Sequence, residues 1–380
     1  MAASYRCWVE VDLNALRQNL AWLRHRLGPQ IKIITVVKAD AYGHGLKQIA
    51  ALLMQNGTDV FGVANLAEAQ VIRSVGQGWP ILMLGACLPD EIELAVRDDV
   101  MATISSLEEA EGFARAARRL HLTARVHIKV DTGMGRLGVA PDRAADLIEQ
   151  AKRLPGLEVV GLYTHYSSAE DDAAFSRRQR TQFQQLIAGL SGAANPFEFI
   201  HASNSAGLLF ERDIVCNTVR PGLLVYGVVP VGKRPIEAGL KNQLRPALTW
   251  KCRVSLVKEI PKGATLSYGR TFVAPRKMLV ATITAGYGDG YLRAGSSRAR
   301  VLIGGRRCPV LGRVTMDQMI ADVSRVPPVK NGDEVVLIGQ QGEDTISANH
   351  LAAWCGTVPW EVLTNITYRV PRVYRGAHAA

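Results

Sequence analysis

The stretch VVKADAYGHG (36–45) runs from β-branched residues into Lys38 and then straight into a turn of small and aromatic residues. A lysine at a strand end ordinarily carries its ammonium out to water. Burial instead lowers its pKa, and the neutral amine is then a nucleophile toward carbonyl carbon. Other apolar runs also finish on polar groups: Asp131 and Arg136 follow one, His165 ends another, Asn204 and Ser205 follow a third, and Arg220 with Gly222 and Leu223 ends a fourth. Taken singly, each has a plainer reading as a turn, a core histidine or a surface arginine. Their common position at strand ends is what asks for an explanation.

The elements that position them follow from periodicity. Candidate strands are 31–38, 60–64, 81–85, 101–105, 123–131, 158–165, 197–203 and 214–220. Amphipathic stretches such as SLEEAEGFARAARRL (106–120) and PDRAADLIEQAKRL (141–154) lie between most of them, after an opening helix near 12–27. Strands alternating with helices imply right-handed crossovers and a parallel sheet, and eight such strands imply closure into a (β/α)8 TIM-type barrel. In a barrel the carboxyl ends of all strands face one rim, so the polar groups converge there. Asn204–Ser205 and Gly222–Leu223 fall after strands seven and eight, where barrels cradle phosphate on backbone N–H groups. A phosphate clasp, a lysine in a partly desolvated mouth and a basic rather than acidic partner describe a pyridoxal phosphate site.

From about residue 240 the texture changes to Val/Thr-rich alternation with glycine turns, and helical periodicity returns only in 346–356. That predicts a mostly antiparallel β domain over 241–380 after a barrel over 1–240, with residues 1–11 able to join the β domain as a strand. The six cysteines are widely spaced without a C-x-x-C pair, so no metal site is expected and free thiols suit a cytoplasmic protein. Charges come too early at the amino terminus for an export signal, and no run reaches the ~20 apolar residues of a membrane span. The net charge of +11 is scattered without an aromatic-interleaved basic stripe, which argues against nucleic acid and for small anionic partners.

Beyond VVKADAYGHG, the chain carries KVDTGMGRLG (129–138), THYSSAE (164–170), HASNSAG (201–207), VRPGLLVYG (219–227), SYGRTF (267–272), GYGDGYLR (286–293) and GRVTMDQM (312–319). In order and spacing, along essentially the whole length, this set resembles the alanine racemases. The resemblance implies a pyridoxal phosphate-dependent isomerase that interconverts L- and D-alanine for peptidoglycan. It also implies a head-to-tail homodimer whose active sites draw on both subunits. Position by position, Lys38 would hold the cofactor and act as one base, with Tyr268 from the other subunit as the second. Tyr42, Ser205, Gly222 and Leu223 would hold the phosphate, with Asn204 beside them. Arg220, braced by His165, would face the pyridine nitrogen. Arg136, Met316 and Asp317 would meet substrate, Lys129 would be the lysine that relatives often carbamylate, and Tyr287 and Arg293 would line the access corridor.

Two positions depart from the family pattern. Thr315 stands where cysteine is common, and Trp360 stands where a tyrosine often reaches the phosphate. Serine is therefore the rival substrate. A decarboxylase of the same fold type would want an acidic partner for the pyridine nitrogen rather than Arg220. A non-catalytic pyridoxal phosphate carrier would resemble the barrel alone. The run GMGRLG (133–138) matches a dinucleotide-binding fingerprint literally, but Pro141 delays the helix that such a loop must open directly.

Overall fold

The computed structural model describes residues 5–190, 197–211, 215–326 and 328–376. The chain divides into two compact units: Arg17–Ala41 with Leu46–Arg245, and Met1–Leu16 with Tyr42–Gly45 and Pro246–Ala380. The strand β1 (Cys7–Asp12) belongs to the latter.

The larger unit is a closed barrel of eight parallel strands: β2 (Lys32–Val36), β3 (Val60–Val63), β4 (Ile81–Ala86), β5 (Met101–Ile104), β6 (Ala124–Lys129), β7 (Leu157–Tyr163), β8 (Phe199–His201) and β9 (Thr218–Val219). Closure comes from the pairing of Lys32 and Ile33 with Thr218 and Val219. Strands covered on both faces read as nearly continuous apolar runs, which is why VFGV and MATI are buried throughout. Ile34, Val60, Leu82, Met101, Val160 and Phe199 pack together from six strands. The helix Leu107–Leu120 buries Ala110, Phe113, Ala114 and Ala117 on one face. Its start is fixed by reciprocal hydrogen bonds between Ser106 and Glu109, and its end by His121 in the left-handed region.

Every barrel strand falls where periodicity places it, but several are shorter. The strand expected to end on Lys38 ends at Val36, and those expected to end on His165 and Arg220 end at Tyr163 and Val219. The site residues therefore lie one or two positions past their strands, in the loops. Ile214, the expected start of the eighth strand, lies outside the described residues.

The smaller unit is built on a nine-stranded sheet and a two-stranded ribbon. Its further strands are β10 (Leu248–Ile260), β11 (Thr265–Leu266), β12 (Phe272–Val273), β13 (Met278–Ile283), β14 (Arg300–Ile303), β15 (Arg306–Leu311), β16 (Met319–Asp322), β17 (Glu334–Gln341), β18 (Asp344–Ile346) and β19 (Arg372–Arg375). The sheet order is β18-β17-β14-β15-β16-β13-β10-β1-β19, with an added β10–β17 pairing, and β11 pairs with β12. The long β10 is its organiser, alternating buried and half-exposed residues and pairing antiparallel with β1, β13 and β17. Besides the expected helix, found at Ala348–Cys355, a helix at Pro359–Thr364 was not legible from periodicity. Six residues span too few turns to show a 3.6-residue period, although proline at the first helical position is a start signal.

Candidate active site

Lys38 opens a backbone feature that a strand-and-turn reading does not contain. Ala39, Asp40, Ala41 and Tyr42 have φ of 52, 54, 53 and 52°, and Gly43 follows at 78°. Four consecutive L-residues thus form a left-handed helical turn, closed at its start by Ala41 N–H on the Val37 carbonyl at 2.8 Å. Such geometry costs about 1–2 kcal/mol per residue, so it persists only where surroundings impose it. Here Glu68 accepts from Ala39 N–H (2.7 Å) and Ala64 N–H (2.8 Å), and Asp40 accepts from Leu46 N–H (2.8 Å). Small alanines at 39 and 41 limit the Cβ crowding. Burial, then the charge of Arg136, lowers the Lys38 pKa below the ordinary lysine value, against the pull of Glu68.

Arg220 is only 3% exposed, and two backbone carbonyls and two imidazoles hold its guanidinium. Its guanidinium donates to the carbonyls of Thr164 and Ala202, both at 2.8 Å, to His165 Nδ1 at 3.1 Å, and to His201 Nδ1. Arginine has only donors, so each imidazole must present a bare Nδ1 and carry its proton on Nε2. His201 then donates from Nε2 to His127 Nδ1 at 2.9 Å, which puts the His127 proton on Nε2. That atom is buried without a hydrogen-bond partner. Burial, then neighbouring cations, lowers His127 to about 3 and holds His165 and His201 well below the ordinary imidazole value. All three rings are neutral at physiological pH.

Tyr163 is the floor beneath these groups. Its ring stacks on His201 at 4.5 Å and lies 5.0 Å from the Arg220 guanidinium and 5.6 Å from Lys129 Nζ. Its hydroxyl donates to Thr103, whose own proton goes to the Met83 carbonyl, both at 2.8 Å. Lys129, on β6, is lowered to about 8 by burial and then by Arg136 and Arg220, against Asp131. Burial works to raise the Asp131 pKa, but N–H donors of Gly135, Gly133 and Met134 outweigh it and keep the carboxylate ionised. The GMGRLG run is this loop around Asp131, clamped by Asp131 N–H to the Val139 carbonyl and Val139 N–H to the Lys129 carbonyl, both at 2.9 Å. It opens no helix directly; the next helix starts at Pro141, so the dinucleotide reading fails on geometry.

Ser205 Oγ accepts from Gly222 N–H (2.9 Å) and Leu224 N–H (3.3 Å), leaving its proton to donate. Asn204 caps the helix Ser205–Phe210 by accepting from Gly207 N–H at 2.8 Å. The loops after β8 and β9 are thereby joined into one buried cradle. The barrel mouth holds four cations, Lys38, Lys129, Arg136 and Arg220, against Glu68 and Asp131, whose oxygens are already engaged by backbone N–H groups. That donor set fits a dianionic phosphate ester carrying an aldehyde: a hydroxyl cradle for the phosphate, a depressed lysine for the carbonyl and an arginine for a ring nitrogen.

In the smaller unit, Tyr42 is buried at the end of the left-handed turn. Tyr268, Tyr287 and Met316 are instead among its most exposed large side chains, at 71, 41 and 53%. Two motif loops are laced together there: Tyr287 N–H bonds the Thr315 carbonyl (2.9 Å) and Gly288 N–H the Met316 carbonyl (2.8 Å). Arg369 ties them further, donating to Asp289 at 2.8 Å and Asp317 at 2.9 Å. Ser267, at φ 61°, fixes the Tyr268 turn by donating to the Arg313 carbonyl at 2.6 Å. Arg293 lies exposed on a short 3-10 turn, and the Thr315 hydroxyl is bonded back to the Gln318 carbonyl at 2.7 Å. Trp360 is half-buried in the helix Pro359–Thr364.

Sequence reasoning did not single out His127, His201, Tyr163, Glu68 or Arg369. The signal for His127 and Tyr163 was present: Arg125, His127 and Lys129 occupy alternate positions of β6, and Gly161 and Tyr163 alternate positions of β7. Alternate polar residues in a strand buried on both faces point into the barrel. Gly161 belongs to the same device, since a Cβ there would sit 2.2 Å from the His127 ring.

The family model described as "Alanine racemase, N-terminal domain" matches residues 11–230, and "Alanine racemase, C-terminal domain" matches 247–374. The alanine racemase of Halothermothrix orenii is 40% identical over 369 residues, covering 97% of this chain and 96% of that protein. That of Symbiobacterium thermophilum is 41% identical, covering 98% of each. Among solved structures, alanine racemase of Clostridium difficile 630 superposes with a TM-score of 0.90 at 33% identity, covering 98% of this chain and 96% of that one.

Proposed function

The chain belongs to the alanine racemase family, and from that premise we propose that it interconverts L- and D-alanine with pyridoxal phosphate, as a homodimer. The observation that carries the proposal is the setting of Arg220: a buried cation bonded to His165 and His201, in the same barrel mouth as a pKa-depressed Lys38. Pyridoxal phosphate, when bound, supplies an electron sink that acidifies the α-proton of an attached amino acid.

The residues that would hold it are Lys38 at the carbonyl carbon, Ser205 with the Gly222–Leu223 backbone at the phosphate, and Arg220 at the ring nitrogen. Arginine's pKa above ~12 means that Arg220 does not surrender its proton, and neutral His165 and His201 cannot supply one. Electron withdrawal is thereby restrained, which favours return of a proton to the α-carbon over transamination. Racemisation removes a proton from one face and returns one to the other, so two bases are required. We assign the Lys38 amine to one face and the Tyr268 phenol of a second copy to the other. The exposure of Tyr268 on a braced turn supports that assignment. Arg136 would hold the substrate carboxylate. Lys129, with its amine near neutrality at about 8, is chemically suited to take up CO2, and the resulting anion would orient Arg136.

Met316 and Asp317, fixed by Arg369, would contribute the second copy's substrate contacts, and Tyr287 and Arg293 the access corridor. Six free cysteines support a reducing compartment, the cytoplasm, where D-alanine for peptidoglycan is made. Among the described residues, no helix is long and apolar enough to cross a membrane.

The test is to incubate purified protein with pyridoxal phosphate and L-alanine or L-serine and to quantify each D-enantiomer. D-alanine forming faster than D-serine, and neither with Lys38→Ala, is the expected result. D-serine forming faster transfers the assignment to serine, for which Thr315 and Trp360 are the candidate causes. No D-product from the unaltered protein refutes racemase function.

A further inference from the structure

Positive charge is unevenly divided along this chain. Residues 246–380 hold 18 lysines and arginines against 9 acids, so +9 of the net +11 sits in the β domain. Within it, Arg276, Arg300, Arg306, Arg307 and Arg325 line one cleft of about 690 Å³. The hairpin of β14 and β15 supplies three of the five, turning through Gly304 and Gly305 at φ 57 and 72°.

The acids on its wall do not balance them. Asp344 is taken by Arg307, which approaches both carboxylate oxygens at 2.8 and 3.0 Å and also donates to the Thr345 carbonyl at 2.8 Å. That arginine is fixed and neutralised. Asp322 lies 3.7 Å from Arg276, a looser pair. Arg300, Arg306 and Arg325 form no ion pair among the described residues, and only Glu343 remains to offset them. A concavity with a residual charge near +2 results. Crowded guanidinium groups raise the local positive potential and recruit counter-anions.

We propose that this cleft binds a small molecule bearing a diphosphate group. Guanidinium planes match phosphate oxygens two at a time, and two linked phosphates offer several such edges together with more than one negative charge. The cleft volume lies within the range of small-molecule sites, about 300–1,000 Å³, rather than of an open polyanion track. One diphosphate meets the uncompensated charge; a single carboxylate does not. The site is independent of the barrel's phosphate cradle and of the racemase reading.

The experiment is calorimetric titration of inorganic pyrophosphate into enzyme saturated with pyridoxal phosphate, so that the barrel cradle is filled. One site per chain is expected, weakening with added salt and at least tenfold in the Arg300→Ala/Arg325→Ala double variant. Arg177→Ala, an exposed arginine of the barrel unit, is expected to leave it unchanged. Both arginines lack carboxylate partners, so the double variant should keep its circular dichroism spectrum and racemase activity. ADP displacing pyrophosphate with higher affinity assigns a nucleotide as the source of the group, and equal affinity assigns free pyrophosphate; both uphold the site. No pyrophosphate binding at millimolar concentration, unchanged affinity in the double variant, or equal loss with Arg177→Ala overturns it. So does tighter binding of duplex DNA with several proteins per duplex.

Discussion

The loop joining Lys129 to Arg136 depends on Gly138, and replacing that residue by alanine tests how the site is built. Gly138 has φ 123°, and an added Cβ would meet Asp131 N at 2.7 Å, Val130 C at 3.0 Å and Lys129 O at 3.1 Å. All three neighbours are backbone, so no side chain can swing aside. The backbone conformation alone costs an L-residue about 1–3 kcal/mol, and forcing the overlap about 1–3 kcal/mol more. Opening the two clamp bonds that Val139 makes with Asp131 and Lys129 relieves the overlap but forfeits about 0.5–1.5 kcal/mol each. Gly138→Ala should therefore cost about 2–6 kcal/mol in urea unfolding. Because the relief moves Arg136, kcat/KM for L-alanine should fall by about tenfold to a hundredfold, the scale set by an ångström of misplacement. Gly135→Ala is the matched control: φ is 66° and nothing lies within 4 Å of the added Cβ. It should cost only about 1 kcal/mol and leave kcat/KM within about threefold. Equal effects at the two glycines, or a larger effect at Gly135, refute the clamp.

Three further outcomes are expected. Tyr291 is fully buried with its hydroxyl unpartnered, so Tyr291→Phe should leave thermal stability unchanged or raise it by about 1 kcal/mol, and a loss of 2 kcal/mol contradicts the assignment. The fully buried His127 and His201 stay neutral when folded but take up protons when unfolded below about 6.5, so stability falls as pH drops through that value. Each should contribute a loss of about 2 kcal/mol by pH 5; urea unfolding should show a shallower pH slope in His127→Gln, and an unchanged slope contradicts neutrality. Lys129 should take up CO2: enzyme in 13C-bicarbonate should show a carbamate carbon resonance that is missing in Lys129→Ala, and a resonance present in both assigns the signal elsewhere.

The order of strands and helices was legible because each barrel strand is buried on both faces and each covering helix on one, so local pattern and tertiary burial agree. The same agreement placed Lys38, His165, Ser205 and Arg220 on one rim. The left-handed turn at 39–42 was not legible, because alanine and tyrosine do not favour it and aspartate visits it only as a single residue, not in a run of four. Glu68 and Asp40 impose it through hydrogen bonds to the backbone. The pair of histidines behind Arg220 was not legible for a different reason: His201 sits on β8 and His127 on β6, and their contact exists only in the closed barrel. Strand ends were placed too late because Lys38, His165 and Arg220 continue apolar runs without continuing the ladder.

The central claim is α-proton exchange between two faces by Lys38 and Tyr268. The most direct measurement is to incubate enzyme, pyridoxal phosphate and L-alanine in deuterated water and to follow D-alanine and the α-deuterium of both enantiomers. Wild-type protein should yield D-alanine labelled at the α-carbon. Tyr268→Phe should retain cofactor absorbance but lose the exchange that begins on one enantiomer, while Lys38→Ala should lose both absorbance and turnover. Racemisation of both enantiomers at the wild-type rate by Tyr268→Phe contradicts the two-base account, and normal turnover by Lys38→Ala contradicts the site itself.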